Sequence, residues 1–520
     1  MSLVSTGFLV FLLVGVIVYY LIPKKAQWAW LLILSYAYYL CSGYKTVVFI
    51  LLTTIVTFTS GILLERTEDN LDKSLKADGL AREDKKALKE KAKTYKKRVV
   101  VLALLLVFGV LAVVKYHNFA IENVNGIIKA FGGNGRISTF TLLLPLGISF
   151  YSFQSISYVI DVYRGKVKAC NNIFKYALFV SYFPQITQGP IGRYDRLAPQ
   201  FLAEHKYDLA VIQHGLQRMA WGLFKKFIIA DRAGVVSDLV FNNPGQYHGI
   251  YVIIGVLAYC AQLYGDFAGG IDMVMGASEM FGIHLDDNFR QPFFSHSIGE
   301  FWRRWHMTLG GWFRDYLYIP LGGNRVSVLR WCFNMFVVWL LSGLWHGAGW
   351  NFALWGLYFG VFLSAEKLIG KKWKERSFKI ADISANNDSN GGNRKNMFLI
   401  CARNSIEHGY VLLVVLFSFV IFRAESVREI KEQFLGLSGC YGNAMTPMAA
   451  YEIKSYLILL LIACAGATPF PAMWVQRLKN ANMWKKSGWL LQSCYILTGL
   501  VLATAFLLGS SVHPFLYFRF

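Results

Sequence analysis

Two histidines stand among residues that give the side chain chemistry to do. His346 lies in LSGLWHGAGWNFALWG, residues 341–356, an almost uncharged apolar stretch with Gly343, Gly347 and Gly349 close by. An ionisable side chain in such a stretch is costly and marks a functional site by default. The glycines let a substrate or another backbone come close. Imidazole is the side chain best suited to take a proton from a hydroxyl near neutral pH, so the pattern points to general-base chemistry. A core histidine bonded to a neighbouring carbonyl is the other reading. His306 lies in the densest polar cluster of the chain, FWRRWHMTLGGWFRDYLYIPLGGNR at 301–325. It is set among Arg303, Arg304, Arg314, Asp315 and Arg325, with Trp302, Trp305 and Trp312 interleaved. An interfacial amphipathic helix, with Trp and Arg at the headgroup level, also fits that composition.

The elements that must hold these side chains follow from composition. Of 520 residues, 55% are hydrophobic and 16% charged, against roughly 25% charged in an ordinary soluble protein. That balance excludes a soluble globular protein and predicts an all-α integral membrane protein. Apolar runs long enough to cross a hydrocarbon core fall near 3–22, 28–42, 46–64, 99–120, 141–163, 212–240, 250–281, 329–346, 350–369, 397–423, 455–475 and 488–511. They predict about twelve membrane-spanning helices. The first run has no basic stretch before it and is expected to be retained as a span.

The 53 Lys+Arg against 31 Asp+Glu give a formal charge of +22. In a membrane protein this excess marks cytoplasmic connections and not a nucleic-acid partner. The connection at 65–98 carries twelve Lys/Arg and eight acidic residues and reads as a solvated cytoplasmic helical hairpin. Counting crossings from it places both termini outside and puts Arg164 to Lys168, Arg193 to Arg196, Arg303 to Arg330, Lys371 to Arg394 and Arg477 to Lys486 inside. Residues 384–396 read as a flexible linker. Segments 173–199, interrupted by Pro184, Gly189, Pro190 and Gly192, and 284–328, aromatic and Gly-rich, fit no simple crossing. They predict re-entrant and interfacial helices, which survive at membrane depth only when buried in protein or lining a wet cavity. The eight cysteines are scattered without a C-x-x-C pair, so neither a disulfide framework nor a metal site is expected.

The blocks at 301–325 and 341–356, with LPLGISFYSFQSISYVIDVYRG (144–165), FPQITQGPIGRY (183–194), GLFKKFIIADR (222–232) and YGDFAGGIDM (264–273), resemble the membrane-bound O-acyltransferase (MBOAT) superfamily. The likeness is to its bacterial branch, which contains the alginate O-acetyltransferase membrane subunit and the teichoic-acid D-alanylation acyltransferase. It implies a ring of helices around a central funnel. It also implies N-terminal spans and a basic hairpin at 1–98, a catalytic core at 99–425, and C-terminal spans with a tail at 426–520. His346 takes the place of the catalytic histidine of that family and His306 that of its second characteristic residue. The implied reaction moves an acyl group, acetyl by preference, from a cytoplasmic thioester to hydroxyls of an extracellular or cell-wall polysaccharide.

The resemblance further implies acetyl-CoA or an acyl-carrier thioester as donor substrate, with no bound cofactor. Arg303, Arg304 and Arg314 are candidates to hold its phosphate, since a guanidinium fork suits that group. Asp315 is expected to pair with Arg314 or a neighbour. Asp161 and Asp266 are candidates for support of the site or for helix packing. The ending HPFLYFRF at 513–520 resembles the C-terminal motif of the small partner in the D-alanylation system, which would make Tyr517 an acyl relay; an aromatic interfacial anchor is the alternative. Implied partners are the lipid bilayer, an extracytoplasmic SGNH-hydrolase-like acyltransferase, the polysaccharide acceptor and an acyl carrier protein. D-alanyl transfer to teichoic acid stands as the alternative substrate. A polytopic transporter using Asp161, Asp266 and Asp272, or a scaffold for an extracellular enzyme, stands as the alternative class.

Overall fold

The computed structural model describes residues 2–76, 81–244, 246–385, 393–438, 447–466, part of 468–477, 482–509 and Phe515. Every regular element among them is helical. In chain order these are α1 (Thr6–Leu21), α2 (Gln27–Gly43), α3 (Val47–Leu75), α4 (Arg82–Ala130), α5 (Ile148–Tyr163), α6 (Ile173–Ser181), α7 (Phe183–Ile186), α8 (Tyr194–Leu202), α9 (Leu209–Phe224), α10 (Asp231–Phe241), α11 (Ile250–Glu279), α12 (Ile298–Arg304), α13 (Met307–Phe313), α14 (Val328–His346), α15 (Trp350–Ala385), α16 (Asn393–Arg423) and α17 (Val427–Leu437). Helices Pro447–Ser455, Leu457–Gly466 and Asn482–Gly509 follow.

Among the described residues, six stretches are long and apolar enough to cross a membrane: Lys24–Leu75, Arg82–Ala130, Ile250–Glu279, Val328–His346, Trp350–Gly370 and Ala402–Arg423. The expected crossings at 28–42 and 46–64 share the first, and those at 99–120, 250–281, 329–346, 350–369 and 397–423 take one each. The run at 488–511 lies in the 28-residue helix Asn482–Gly509, and the remaining runs give shorter helices or helices with an irregular turn. The run at 3–22 gives the 16-residue α1, begun by Ser5, whose hydroxyl accepts the Phe8 N–H. The run at 141–163 is helical only as α5, because Gly147 before it is left-handed at φ 69° and a Cβ there would lie 2.0 Å from the Ile186 oxygen. The run at 212–240 is α9 and α10 joined by a π-helical turn at Lys225–Ala230. Helix Leu457–Gly466 has only 10 residues.

At 49 residues, α4 is about 74 Å long at 1.5 Å per residue, more than twice the roughly 30 Å of a hydrocarbon core. Its basic first turns run beside α3, where the Lys96 ammonium pairs with Glu68. The connection at 65–98 is therefore helical on both arms.

The chain folds as two compact units, Met1–Gly222 with Gly270–Asp286, and Leu223–Gly269 with Asp287–Phe520. In the first, the Pro- and Gly-interrupted segment becomes the short helices α6, α7 and α8, and Tyr176 donates its hydroxyl to Thr57 at 2.8 Å. Arg218 there bridges Glu279 at 2.7 Å and Asp272 at 3.2 Å. In the second, α14 and α15 touch backbone to backbone. A Cβ on Gly343 would lie 2.1 Å from the Phe352 oxygen, and one on Gly356 would lie 2.2 Å from the Trp339 oxygen. Small residues at such a contact are how helices approach closely in a membrane. Phe301, Trp305, Trp355, Phe359, Phe419 and Phe422 fill the core beside them.

Candidate active site

The segment at 284–328 does not span. It forms a 3-10 turn at Pro292–Phe294, then α12, α13 and a π-helical turn at Arg314–Tyr318. A seven-residue helix exposes more backbone donors than it satisfies, and here carboxylates and a hydroxyl take them. Ser297 Oγ accepts the Glu300 N–H at 3.0 Å, and the Glu300 carboxylate accepts the His296 N–H at 2.9 Å. Glu366, reaching over from α15, accepts the N–H groups of Ile298 and Gly299 at 2.7 and 2.9 Å. Truncating it as Glu366→Ala is expected to cost about 1–2 kcal/mol, the usual worth of a helix cap. The loss should read as a lowered thermal midpoint of the detergent-solubilised protein, with reduced turnover beside it. An unchanged midpoint would show that the cap contributes nothing.

At its other end α12 runs into His306. Phe289 and Trp305 form an isolated antiparallel bridge, with the Arg290 N–H donating to the Arg304 carbonyl at 2.9 Å. His306 itself is left-handed, φ 47° and ψ 52°. Among the described residues only Gln291 shares that state without being glycine. The conformation costs a non-glycine residue roughly 1–2 kcal/mol, so the surrounding bonds must impose it. The His306 ring is 1% exposed and packs on Phe267 at 4.8 Å and Trp345 at 5.7 Å between centroids. Neither ring nitrogen has a hydrogen-bond partner. Outside the six apolar stretches, the imidazole has its pKa pushed down by burial to about 3, so it is neutral at any physiological pH.

His346 is the last residue of α14 and is 8% exposed. Trp345, Trp355 and Phe422 surround the ring at 5.0, 5.2 and 5.4 Å. Gly347 is extended at φ −164°, a state any residue adopts, so its glycine answers to space: a Cβ would lie 2.0 Å from the Phe352 ring. The two histidines meet edge to face with centroids 6.4 Å apart. Residues distant in sequence thus form one buried pair, enclosed by aromatic rings.

The arginines do not join that pair. Arg303 is exposed, Arg304 holds Glu300 at 2.6 Å and Arg314 holds Asp315 at 2.8 Å. Asp266 is taken by Lys226 at 2.6 Å, and the same ammonium reaches Asp231 at 2.8 Å. Asp161 lies 3.4 Å from Lys166. Tyr517 and residues 386–392 of the expected 384–396 linker lie outside the described residues, while 384–385 end α15 and 393–396 begin α16. Phe515, two positions before Tyr517, is fully buried, with the Lys226 ammonium 4.9 Å from its ring centroid.

Sequence reasoning missed Asn288, Trp355, Phe422 and Glu366. Trp355 stands in the His346 block but reads as one more span residue, and Asn288 reads as part of a polar loop.

Residues 170–386 match the family model described as MBOAT, membrane-bound O-acyltransferase family. That stretch contains both histidines. The chain is 35% identical over 427 residues to the probable alginate O-acetylase of Pseudomonas putida, covering 79% of this chain and 82% of that protein. It is 31% identical over 468 residues to the peptidoglycan O-acetyltransferase of Helicobacter pylori, covering 82% and 83%. With the teichoic acid D-alanyltransferase of Bacillus subtilis it shares 29% identity over 250 residues, covering 45% and 62%.

Proposed function

The chain belongs to the membrane-bound O-acyltransferase family, and from that premise we propose that it carries an acetyl group from a cytoplasmic thioester across the membrane to hydroxyls of an extracellular or cell-wall polysaccharide. It is a multi-pass membrane O-acyltransferase. The observation that carries the finer reading is the buried pair of His306 and His346 inside the matched stretch. A thioester is already activated, so the protein must hold it, take the proton of the incoming hydroxyl and stabilise the tetrahedral oxyanion. His346 is the general base. It takes the hydroxyl proton as the new C–O bond forms, and returns it to the thiolate as the oxyanion collapses and the C–S bond breaks. His306, neutral and without a protein partner, presents one N–H donor and one acceptor nitrogen to the reacting groups.

Acetyl is favoured over D-alanyl by the extent of the likeness. The similarity to the two O-acetylating relatives runs over 79% and 82% of this chain, whereas that to the D-alanyltransferase runs over 45%. The donor is acetyl-CoA or an acyl-carrier thioester, taken as substrate. Arg303 is its first candidate phosphate contact, because Arg304 and Arg314 must leave a carboxylate to reach one. A transporter needs intramembrane carboxylates for its cargo, yet Asp161, Asp266 and Asp272 are each engaged with a basic side chain. The expected setting is a bacterial cell membrane with both termini outside and an SGNH-hydrolase-like partner completing transfer to the polymer.

The buried Phe515 supports a role for the tail. With that residue seated on Lys226, Tyr517 is the phenol nearest the seat along the chain, and an acyl relay through it has a fixed starting point. In that relay the phenolic oxygen attacks the thioester, its proton passes by way of His346 to the thiolate, and the aryl ester then acylates the polymer hydroxyl, whose proton goes to the departing phenolate. The test supplies labelled acetyl-CoA to the protein in liposomes with an added glycan. Label is expected on both the chain and the glycan, and Tyr517→Phe is expected to remove both. Glycan label undiminished in Tyr517→Phe would overturn the relay and leave acyl transfer standing. Label only from a carrier-bound D-alanyl group would overturn acetyl as the cargo.

A further inference from the structure

Asn288 uses its oxygens fully and its nitrogen not at all. Its carbonyl accepts the Met307 N–H at 3.0 Å, and its Oδ1 accepts both the N–H and the hydroxyl of Thr308, at 3.1 and 2.9 Å. The Thr308 N–H can only donate, which identifies the amide end facing it as oxygen. The NH2 end is buried, in a residue 1% exposed, and has no partner. A buried donor left unmade is costly and calls for an explanation.

Two indole nitrogens in the same core are likewise unpartnered donors. Trp355 Nε1, in the indole that packs on the His346 ring, is buried without a partner. So is Trp302 Nε1, in a ring 5.5 Å from that of Trp355. Indole and amide nitrogens only donate, while neutral His306 adds one donor and one acceptor. The surplus is of donors, in surroundings dry enough to make each bond strong. Its chemical complement is an oxygen that gains negative charge as a reaction proceeds.

We propose that Asn288 Nδ2, together with Trp355 Nε1, donates hydrogen bonds to the carbonyl oxygen of the thioester and to the oxyanion it becomes. The assignment rests on the acyl-transfer reading above. As the acceptor oxygen bonds to the acyl carbon, the carbonyl π pair moves onto that oxygen, where the two donors meet it. The pair returns as the C–S bond breaks, and the sulfur leaves with the proton held by His346. Bonds from Asn288 to Met307 and Thr308, the two residues after His306, fix its amide relative to that histidine before substrate arrives. Fixed donors of this type are what an oxyanion site requires.

The test is Asn288→Asp, which keeps an oxygen for Thr308 and removes the donor. Turnover of labelled acetyl-CoA should fall about 100- to 1000-fold, as for loss of an oxyanion donor, with the donor KM within about threefold of wild type; a carboxylate in that buried place also lowers the thermal midpoint, so the fold is checked on the uncharged indole variant, whose midpoint should be unmoved. Trp355→Phe keeps an aromatic ring beside His346 without the N–H, and should show the same split between kcat and KM. Wild-type turnover in either variant, or an effect confined to KM, overturns the proposal. A midpoint that falls in step with activity in both variants overturns it too, in favour of a packing role. His346→Ala assayed alongside separates the two levels. If it is inactive while Asn288→Asp is fully active, only the oxyanion assignment falls; if it is active, the acyl-transfer assignment of His346 falls instead.

Discussion

His346→Ala is expected to lower turnover by about 100- to 10,000-fold, the range a positioned general base contributes, in a protein that still folds. The fold should survive because the ring sits at the C-terminal end of α14 and is bounded by side chains, whereas the helix is held to α15 by the backbone contact at Gly343 and Gly356. Acetyl transfer from labelled acetyl-CoA in liposomes gives the rate, and the thermal midpoint in detergent checks the fold. His346→Gln, closer in volume, should be as inactive and even closer to wild type in midpoint. The pH profile adds a sign. Burial holds the His306 pKa near 3, so that ring carries no charge change between pH 5 and 8. A fall in kcat/KM on acidification through that window therefore belongs to another group, and it should persist in His306→Asn. A normal rate in His346→Ala would sink the assignment of the base.

The second large effect is structural. Gly343→Ala adds a single methyl, but that methyl would stand 2.1 Å from the Phe352 oxygen and 3.1 Å from the Gly356 nitrogen. Both neighbours are main chain, so no rotamer change relieves the clash and α14 and α15 must separate. Overpacking of a tight interior costs about 1–3 kcal/mol and occasionally more. A backbone-on-backbone clash belongs at the upper end, beyond the roughly 0.5–1 kcal/mol that alanine gains over glycine in a helix. The expected result is poor accumulation in the membrane and a clearly lowered midpoint, with activity lost because His346 ends the displaced helix. Gly360→Ala is the control. Its Cβ would meet the Phe336 ring at 3.4 Å, an ordinary contact, and the midpoint should hardly move. Equal midpoints for the two variants would show that the helices do not depend on this contact.

Much of the candidate site was legible because local pattern carries it. An isolated histidine in an apolar run and a histidine amid arginines are visible in any reading of 301–356, and the glycines beside His346 announce a close approach. The helical hairpin at 65–98 was legible for the same reason, from charge and length alone. What the pattern could not give are facts of tertiary contact. Arg304 sits four residues after Glu300, a spacing that pairs them on a helix, yet its value for donor binding depends on whether that pair opens. Asn288 acts through Met307 and Thr308, and Glu366 through Ile298, partners whose nearness in space no periodicity encodes. Where a helix starts or changes its winding was not legible for a related reason. Hydropathy at 141–163 and 212–240 reports how apolar a segment is, whereas Gly147 decides where the first helix starts and the π-helical turn at Lys225–Ala230 changes the winding of the second.

The left-handed backbone at residue 306 narrows which side chains that position can accept. Glycine takes up such a conformation freely, asparagine and aspartate with little penalty, and histidine more readily than most. β-Branched and bulky residues are disfavoured there before any question of reactivity arises. On the proposed role, a side chain at this point must also be neutral within the aromatic wall and offer both a donor and an acceptor. Glycine fails the second condition and an ionised carboxylate fails the first. The alphabet left to position 306 is short, and the main chain wrote most of it.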